Sequence, residues 1–168
     1  MIRLRSLYMG AAAGALVAAL SATPAISSTT TTTIAVSATS LSSCVVAATP
    51  LAFGSYSAAT SSPNDATSTV TATCTSGTPY TLALDAGTTS GSTVAARGMT
   101  NGTDTMHYNL YTTSARSTVW GDGTSSTVTQ GATSAGLPAV YTVYGRVPAN
   151  QYVSTGAYSD LVTVTLTY

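Results

Sequence analysis

The chain has 168 residues, 5 Lys+Arg against 5 Asp+Glu, and only 6% charged residues, where an ordinary soluble domain carries about 25%. It has no Lys and no Glu, so it offers no basic stripe to a nucleic-acid backbone and no basic face to anionic lipid. Its 10 Tyr and many Val and Thr argue against disorder, because these strand formers are what disordered segments lack.

In chain order, the first element is a targeting segment. Arg3 and Arg5 form a short positive region, and Leu7 to Leu20 is an unbroken run of apolar residues, alanines and glycines. The small residues Ser21, Ala22, Thr23, Ala25 and Ser27 follow. This is the pattern of a secretory signal peptide, assigned to residues 1–27 with cleavage between Ala22 and Ser28. The apolar run is shorter than the roughly 20 residues that span a bilayer, so no stable membrane insertion is expected. Beyond the leader, Arg97, Arg116 and Arg146 stand against Asp65, Asp85, Asp104, Asp122 and Asp160, a net charge of −2.

Residues 28–41 form a separate segment. A threonine tract, Thr29 to Thr33, runs into alternating residues in which Ile34, Val36 and Ala38 share one face, extended by Thr32 and Ser40. No hairpin partner is evident for it. It either folds back on its own domain or lends a strand to another chain by β-strand addition, and the pattern leaves both open.

Residues 42–168 read as one domain. Cys44 and Cys74 are the only cysteines, and export to an oxidising compartment predicts a disulfide between them. Strands are expected over Leu51 to Ser57, Thr67 to Cys74, Tyr80 to Asp85, His107 to Tyr111, Val140 to Val147 and Tyr158 to Tyr168, from period-two alternation. Pro63-Asn64-Asp65, Gly77-Thr78-Pro79, Gly87 to Gly91 and Trp120-Gly121-Asp122-Gly123 mark the turns. In the last strand Val162, Val164 and Leu166 face one way and Thr163, Thr165 and Thr167 the other. Short strands at this spacing, with no helical period between them, predict an all-β sandwich. No residue follows Tyr168 to cover the last strand, so that strand is expected to present an open edge, which invites pairing.

The chemistry for catalysis is sparse. His107 is the single histidine and sits in a Tyr-rich strand. Asp122 lies between two glycines and reads as a turn aspartate. Without Glu, a carboxylate pair for glycoside chemistry leaves Asp85 and Asp160 as candidates by elimination. Arg97 and Arg146 are expected to pair with Asp or with carbonyls, and Trp120 to pack. No catalytic, metal or cofactor site is expected, and the chain is read as a non-enzyme.

Several ordered blocks carry a family resemblance. They are Pro50-Leu51-Ala52-Phe53-Gly54-Ser55-Tyr56 and Cys74-Thr75-Ser76-Gly77-Thr78-Pro79-Tyr80, the latter continuing into Leu82-Ala83-Leu84-Asp85-Ala86-Gly87. Arg97-Gly98-Met99, Tyr108-Asn109-Leu110-Tyr111, Trp120-Gly121-Asp122-Gly123 and Tyr144-Gly145-Arg146-Val147-Pro148-Ala149-Asn150-Gln151 follow, and the ending runs from Gly156 to Tyr168. Together they resemble the spore coat protein U domain over residues 34 to 168. That family includes subunits of archaic chaperone–usher pili. The resemblance implies an incomplete immunoglobulin-like sandwich, completed first by a periplasmic chaperone and then, at an outer-membrane usher, by the N-terminal segment of the next subunit. It implies a linear homopolymer on the cell surface, reached through the periplasm, serving attachment and biofilm formation.

On this resemblance the donor face is Thr32, Ile34, Val36, Ala38 and Ser40. The edge of the acceptor groove is the strand with Tyr158, Val162, Val164, Leu166 and Tyr168, and Cys44 and Cys74 match the family's cysteine pair. Ser40 is polar where related donors are often apolar, and Ala38 is small. Both reduce the buried apolar area, at about 25 cal/mol per Å2, and imply a weaker or shifted register. The competing readings are a coat protein of spores or cysts and a glycan-binding adhesin module.

Closing a loop of about 31 residues should stabilise the domain by roughly 3–4 kcal/mol in the chain-entropy model. Replacing both Cys44 and Cys74 by Ser is expected to lower the unfolding free energy by that amount, read as a lower urea midpoint with a steeper slope, because the freed unfolded chain exposes more surface.

Overall fold

The computed structural model describes residues 26–168. Most of the leader expected over residues 1–27 lies outside them. The chain divides into two units, Met1–Ala38 and Thr39–Tyr168. In the first, residues 26–38 form neither helix nor strand and are exposed throughout, with Ile34 85% and Val36 90% accessible. Alternation alone does not make a strand, because its N–H and C=O groups need a paired neighbour.

The second unit is an immunoglobulin-like sandwich of eight strands with no helix among the described residues. In chain order these are β1 Cys44–Ala48, β2 Asn64–Cys74, β3 Pro79–Leu84, β4 Arg97–Thr100, β5 Thr105–Tyr111, β6 Gln130–Thr133, β7 Ala139–Val147 and β8 Val164–Thr167. A five-stranded sheet runs β1-β2-β7-β5-β4, and a three-stranded sheet runs β6-β3-β8. Every pairing is antiparallel. Alternation supplies the core: β2 buries Val70, Ala72 and Cys74, β3 buries Tyr80, Leu82 and Leu84, and β7 buries Val143 and Val147. The disulfide joins Cys44 to Cys74, directly opposite each other in the β1–β2 register.

Side chains finish what the short strands leave open. Trp120 is fully buried, and its indole N–H donates to the Leu82 carbonyl at 3.1 Å. Next to it the Leu84 N–H donates to the Gly121 carbonyl at 3.0 Å. The Arg97 guanidinium, also fully buried, donates to the carbonyls of Asp85 at 2.8 Å, Leu84 at 3.2 Å and Trp120 at 3.0 Å, and to Asn109 Oδ1 at 2.8 Å. One side chain on β4 thereby ties the five-stranded sheet to the end of β3 in the other. Beyond Val147, where β7 stops, the Gln151 amide pairs with both backbone groups of His107 at 2.7 and 2.8 Å.

The structure corrects several expected strands. Leu51 to Ser57 is not a strand. Gly54 breaks it with φ +69, the Asn64 amide takes the Phe53 and Ser55 carbonyls, and Leu51 and Phe53 drop onto Gly145. A Cβ at Gly145 would meet Leu51 at 2.9 Å and Phe53 at 2.8 Å, so glycine there makes room for both. The last strand shortens from Tyr158–Tyr168 to Val164–Thr167, because Asp160 and Thr163 are drawn into contacts with the β3–β4 loop. Asn64 and Asp65, expected in a loop, begin β2. Three strands escape the alternation pattern: β1, β4 and β6.

Arg97→Met keeps the length of the side chain but removes the guanidinium donor from the buried Leu84 and Trp120 carbonyls and the half-buried Asp85 carbonyl, and leaves Asn109 Oδ1 with the Leu110 N–H alone. A loss of about 3 kcal/mol or more is expected, checked by equilibrium unfolding with the disulfide intact.

Candidate functional site

The two sheets do not close on one side. β1 ends the five-stranded sheet and β8 ends the three-stranded one. They come near each other without hydrogen-bonding. Beside them lies a groove of about 1220 Å3 that reaches the core, between the chain leaving β1 and the chain entering β8; it touches β1 only at Ala48 and β8 only at Val164. Val70, Val143 and Val147 line it from one sheet and Leu84 and Val164 from the other, with Met99, Met106, Tyr108 and Leu110 behind them. One wall is Ala48 to Tyr56 and the other Tyr158 to Val162. Its lining is therefore mostly the apolar face that a further strand would cover.

Of the residues expected at the acceptor edge, Tyr158, Val162 and Val164 line the groove. Leu166 packs against the core beside them. Tyr168 lies elsewhere, in a separate recess of about 380 Å3 with Ser40 to Ser42 and Thr75 to Pro79. Only Val164 and Leu166 of the five sit on β8.

Two carboxylates fix the chain that enters β8. Asp160 Oδ1 accepts from the N–H groups of Thr88 at 2.8 Å and Thr89 at 3.2 Å and from both their hydroxyls. Its Oδ2 accepts from the Tyr108 hydroxyl at 2.6 Å. Asp85 Oδ1 answers from the other side, accepting from the N–H groups of Gly87 and Thr163, each at 2.9 Å. Burial opposes ionisation of Asp160, but the bonds from Tyr108, Thr88 and the Leu161 N–H outweigh it and hold its carboxyl below the usual carboxylate range. For Asp85 burial is likewise outweighed, by the N–H groups of Thr163 and Gly87, and its pKa is also lowered. Burial, and then the bond to Asp160, pushes the Tyr108 phenol well up. Gly87 is left-handed at φ +83, and any Cβ there would run into the Asp160 carboxylate.

The remaining candidates from the sequence have structural partners. The Asp85 and Asp160 carboxylates, paired above by elimination for glycoside chemistry, are both spent on turn amides and hydroxyls. Asp122 closes its turn on the Thr124 N–H at 2.9 Å. Arg146 forms an ion pair with Asp65 at 2.7 Å, which Arg116 joins at 3.2 Å. His107 has an exposed side chain on β5. Among the described residues no cluster of His, Cys, Asp or Glu is arranged to hold a metal ion, and no buried side-chain N or O lacks a partner. Sequence reasoning missed the Gly87–Thr89 turn as a carboxylate receptor. The only available signal was Gly87 followed by two threonines, which does not say what they bind.

Comparison with known proteins gives a consistent picture. No curated protein sequence matches the chain significantly. Among solved structures the fold is similar to the CsuC–CsuE chaperone–tip adhesion subunit pre-assembly complex from archaic chaperone–usher Csu pili of Acinetobacter baumannii. The match has a TM-score of 0.55 at 22% identity, over 76% of this chain and 40% of that one. The chain thus accounts for less than half the length of the protein it matches. The family model described as Spore Coat Protein U domain matches residues 30–165, nearly all of the described chain, and the protein belongs to that family.

Proposed function

We propose that the protein is a structural subunit of a chaperone–usher surface pilus, and that it polymerises by donor-strand exchange. The observation that carries this reading is the mostly apolar groove that reaches the core between the chain leaving β1 and the chain entering β8, beside two strands that each end a sheet. The occupant we assign to it is the N-terminal segment of a second copy, with Thr32, Ile34, Val36, Ala38 and Ser40 facing in. As a strand, residues 32–40 would span about 27 Å, within the length of the 11-residue β2. Ile34 and Val36 are almost fully exposed in the single chain. Burying each would contribute about 1.5–3 kcal/mol, and the donor backbone would pair with both edges. Ala38 and Ser40 add less, which places most of the affinity on two side chains.

The same groove in a newly exported chain needs a temporary strand, which a periplasmic chaperone would lend and an outer-membrane usher would exchange. The similarity to a chaperone–subunit complex of Csu pili supports the chaperone as a partner. On this reading the protein reaches the cell surface through the periplasm. Its work there is assembly, attachment and biofilm formation, without catalysis. The single domain 42–168 is the pilin body, and 28–41 its donor.

Electron microscopy of fibres sheared from cells tests the proposal. Thin fibres are expected from the wild type, and their loss from Ile34→Asp, from Val36→Asp and from a deletion of the segment before Ser42. The deletion should still form the chaperone complex. Fibres that persist in all three variants would refute the assigned donor. Surface protein without any fibres would favour the coat-protein reading.

A further inference from the structure

The chain that forms one wall of the groove is not held there by strand pairing. From Tyr158 to Thr163 no residue belongs to a strand. Its backbone contacts with the rest of the sandwich are the Ser159 bridge to Thr100 and the Thr163 carbonyl taken by the Asp85 N–H. What grips the segment is Asp160, whose carboxylate sits in the Gly87–Thr89 turn, a residue pair 72 apart in sequence, with Tyr108 closing over it from β5. Asp85 grips the same segment in return through the Thr163 N–H. Val162 and Val164, which line the groove, flank that second anchor.

We infer that Asp160 is a positioning residue for donor-strand capture: its clasp on the Gly87–Thr89 turn sets the place of the groove wall and of the edge β8 that the incoming strand must pair with. The inference rests on the donor-groove reading above and adds to it the residue that presets the acceptor edge. An edge fixed before the donor arrives spares the cost of ordering it on binding. Without the clasp, Tyr158 to Thr163 would have to be ordered by the donor itself, at the expense of affinity. The groups that face Asp160 are the Tyr108 phenol on β5 and the Arg97 guanidinium on β4; the Asp85 carboxylate, just past β3, interacts with the same two groups. Because the folded-state pKa of Asp160 lies below that of a free carboxylate, the clasp is complete at neutral pH and is lost only as pH falls through that lowered value.

The test uses the exported full chain carrying Ile34→Asp and Val36→Asp, so that its own donor face is disabled. It is titrated with an end-blocked synthetic peptide of residues 30–42. That peptide contains no titratable side chain, so a pH dependence belongs to the groove. Asp160→Ala in this background is expected to weaken peptide binding by about tenfold or more, and Asp160→Asn, which keeps an acceptor, by less. Asp65→Ala breaks only the ion pairs with Arg116 and Arg146, residues that do not line the groove, and should leave the Kd within about twofold. The parent should lose affinity only at pH below the ordinary carboxylate range, and Asp160→Asn should lose less over the same range. A folded Asp160→Ala variant that binds as tightly as the parent would overturn the inference. If that variant does not fold, Asp160→Asn decides: an unchanged Kd with an unchanged acid profile overturns it. A parent chain that binds no peptide overturns the donor-groove reading, and this inference falls with it.

Discussion

Every backbone N–H and C=O removed from water must find a partner, and eight short strands cannot supply all of them. This chain meets the constraint with side chains. Arg97 and Trp120 complete the end of β3, Gln151 stands in for β7 beside His107, and Asp85 and Asp160 receive the amides of the β3–β4 loop. The closure is selective. No side-chain hydrogen bond joins β1 to β8 among the described residues. Beside them the groove lining is mostly apolar and the edges are bare.

The scarcity of charge fits the same picture. Of the three arginines beyond the leader, one is buried as a structural clamp and two share Asp65. Little charge is left to oppose close approach of another protein surface. Threonine takes over the outer positions, as on β2, where Thr69, Thr71 and Thr73 alternate with the buried Val70, Ala72 and Cys74. Its branched Cβ suits the pleat while its hydroxyl remains solvated.

The fold class was legible because β2, β3, β5 and β7 alternate cleanly and are bounded by turn residues. The strands that sequence missed lack that signature. Cys44–Ala48 is Val- and Ala-rich without alternation, Arg97–Thr100 hides a buried arginine beside a glycine, and Gln130–Thr133 is held by β3 alone. The stretches read too generously failed for tertiary reasons. Leu51 and Phe53 carry strand-like residues but fill the space above Gly145, and Tyr158 to Val162 is captured by the Gly87–Thr89 turn. At the site, Val162 and Val164 could be named because they belong to the alternating end of the chain. The role of Asp160 could not, since its receptor lies 72 residues away and only folding brings the two together.

The position of the disulfide has a mechanical consequence. Any pull delivered through residues 39–43 enters the sandwich at Cys44, the first residue of β1. An edge strand loaded at its end would peel away rung by rung. Here the first rung is covalent, flanked by the Ser43–Thr75 hydrogen bonds at 2.9 and 3.1 Å. Tension therefore bypasses β1 and passes directly into β2, which nine register pairs join to β7.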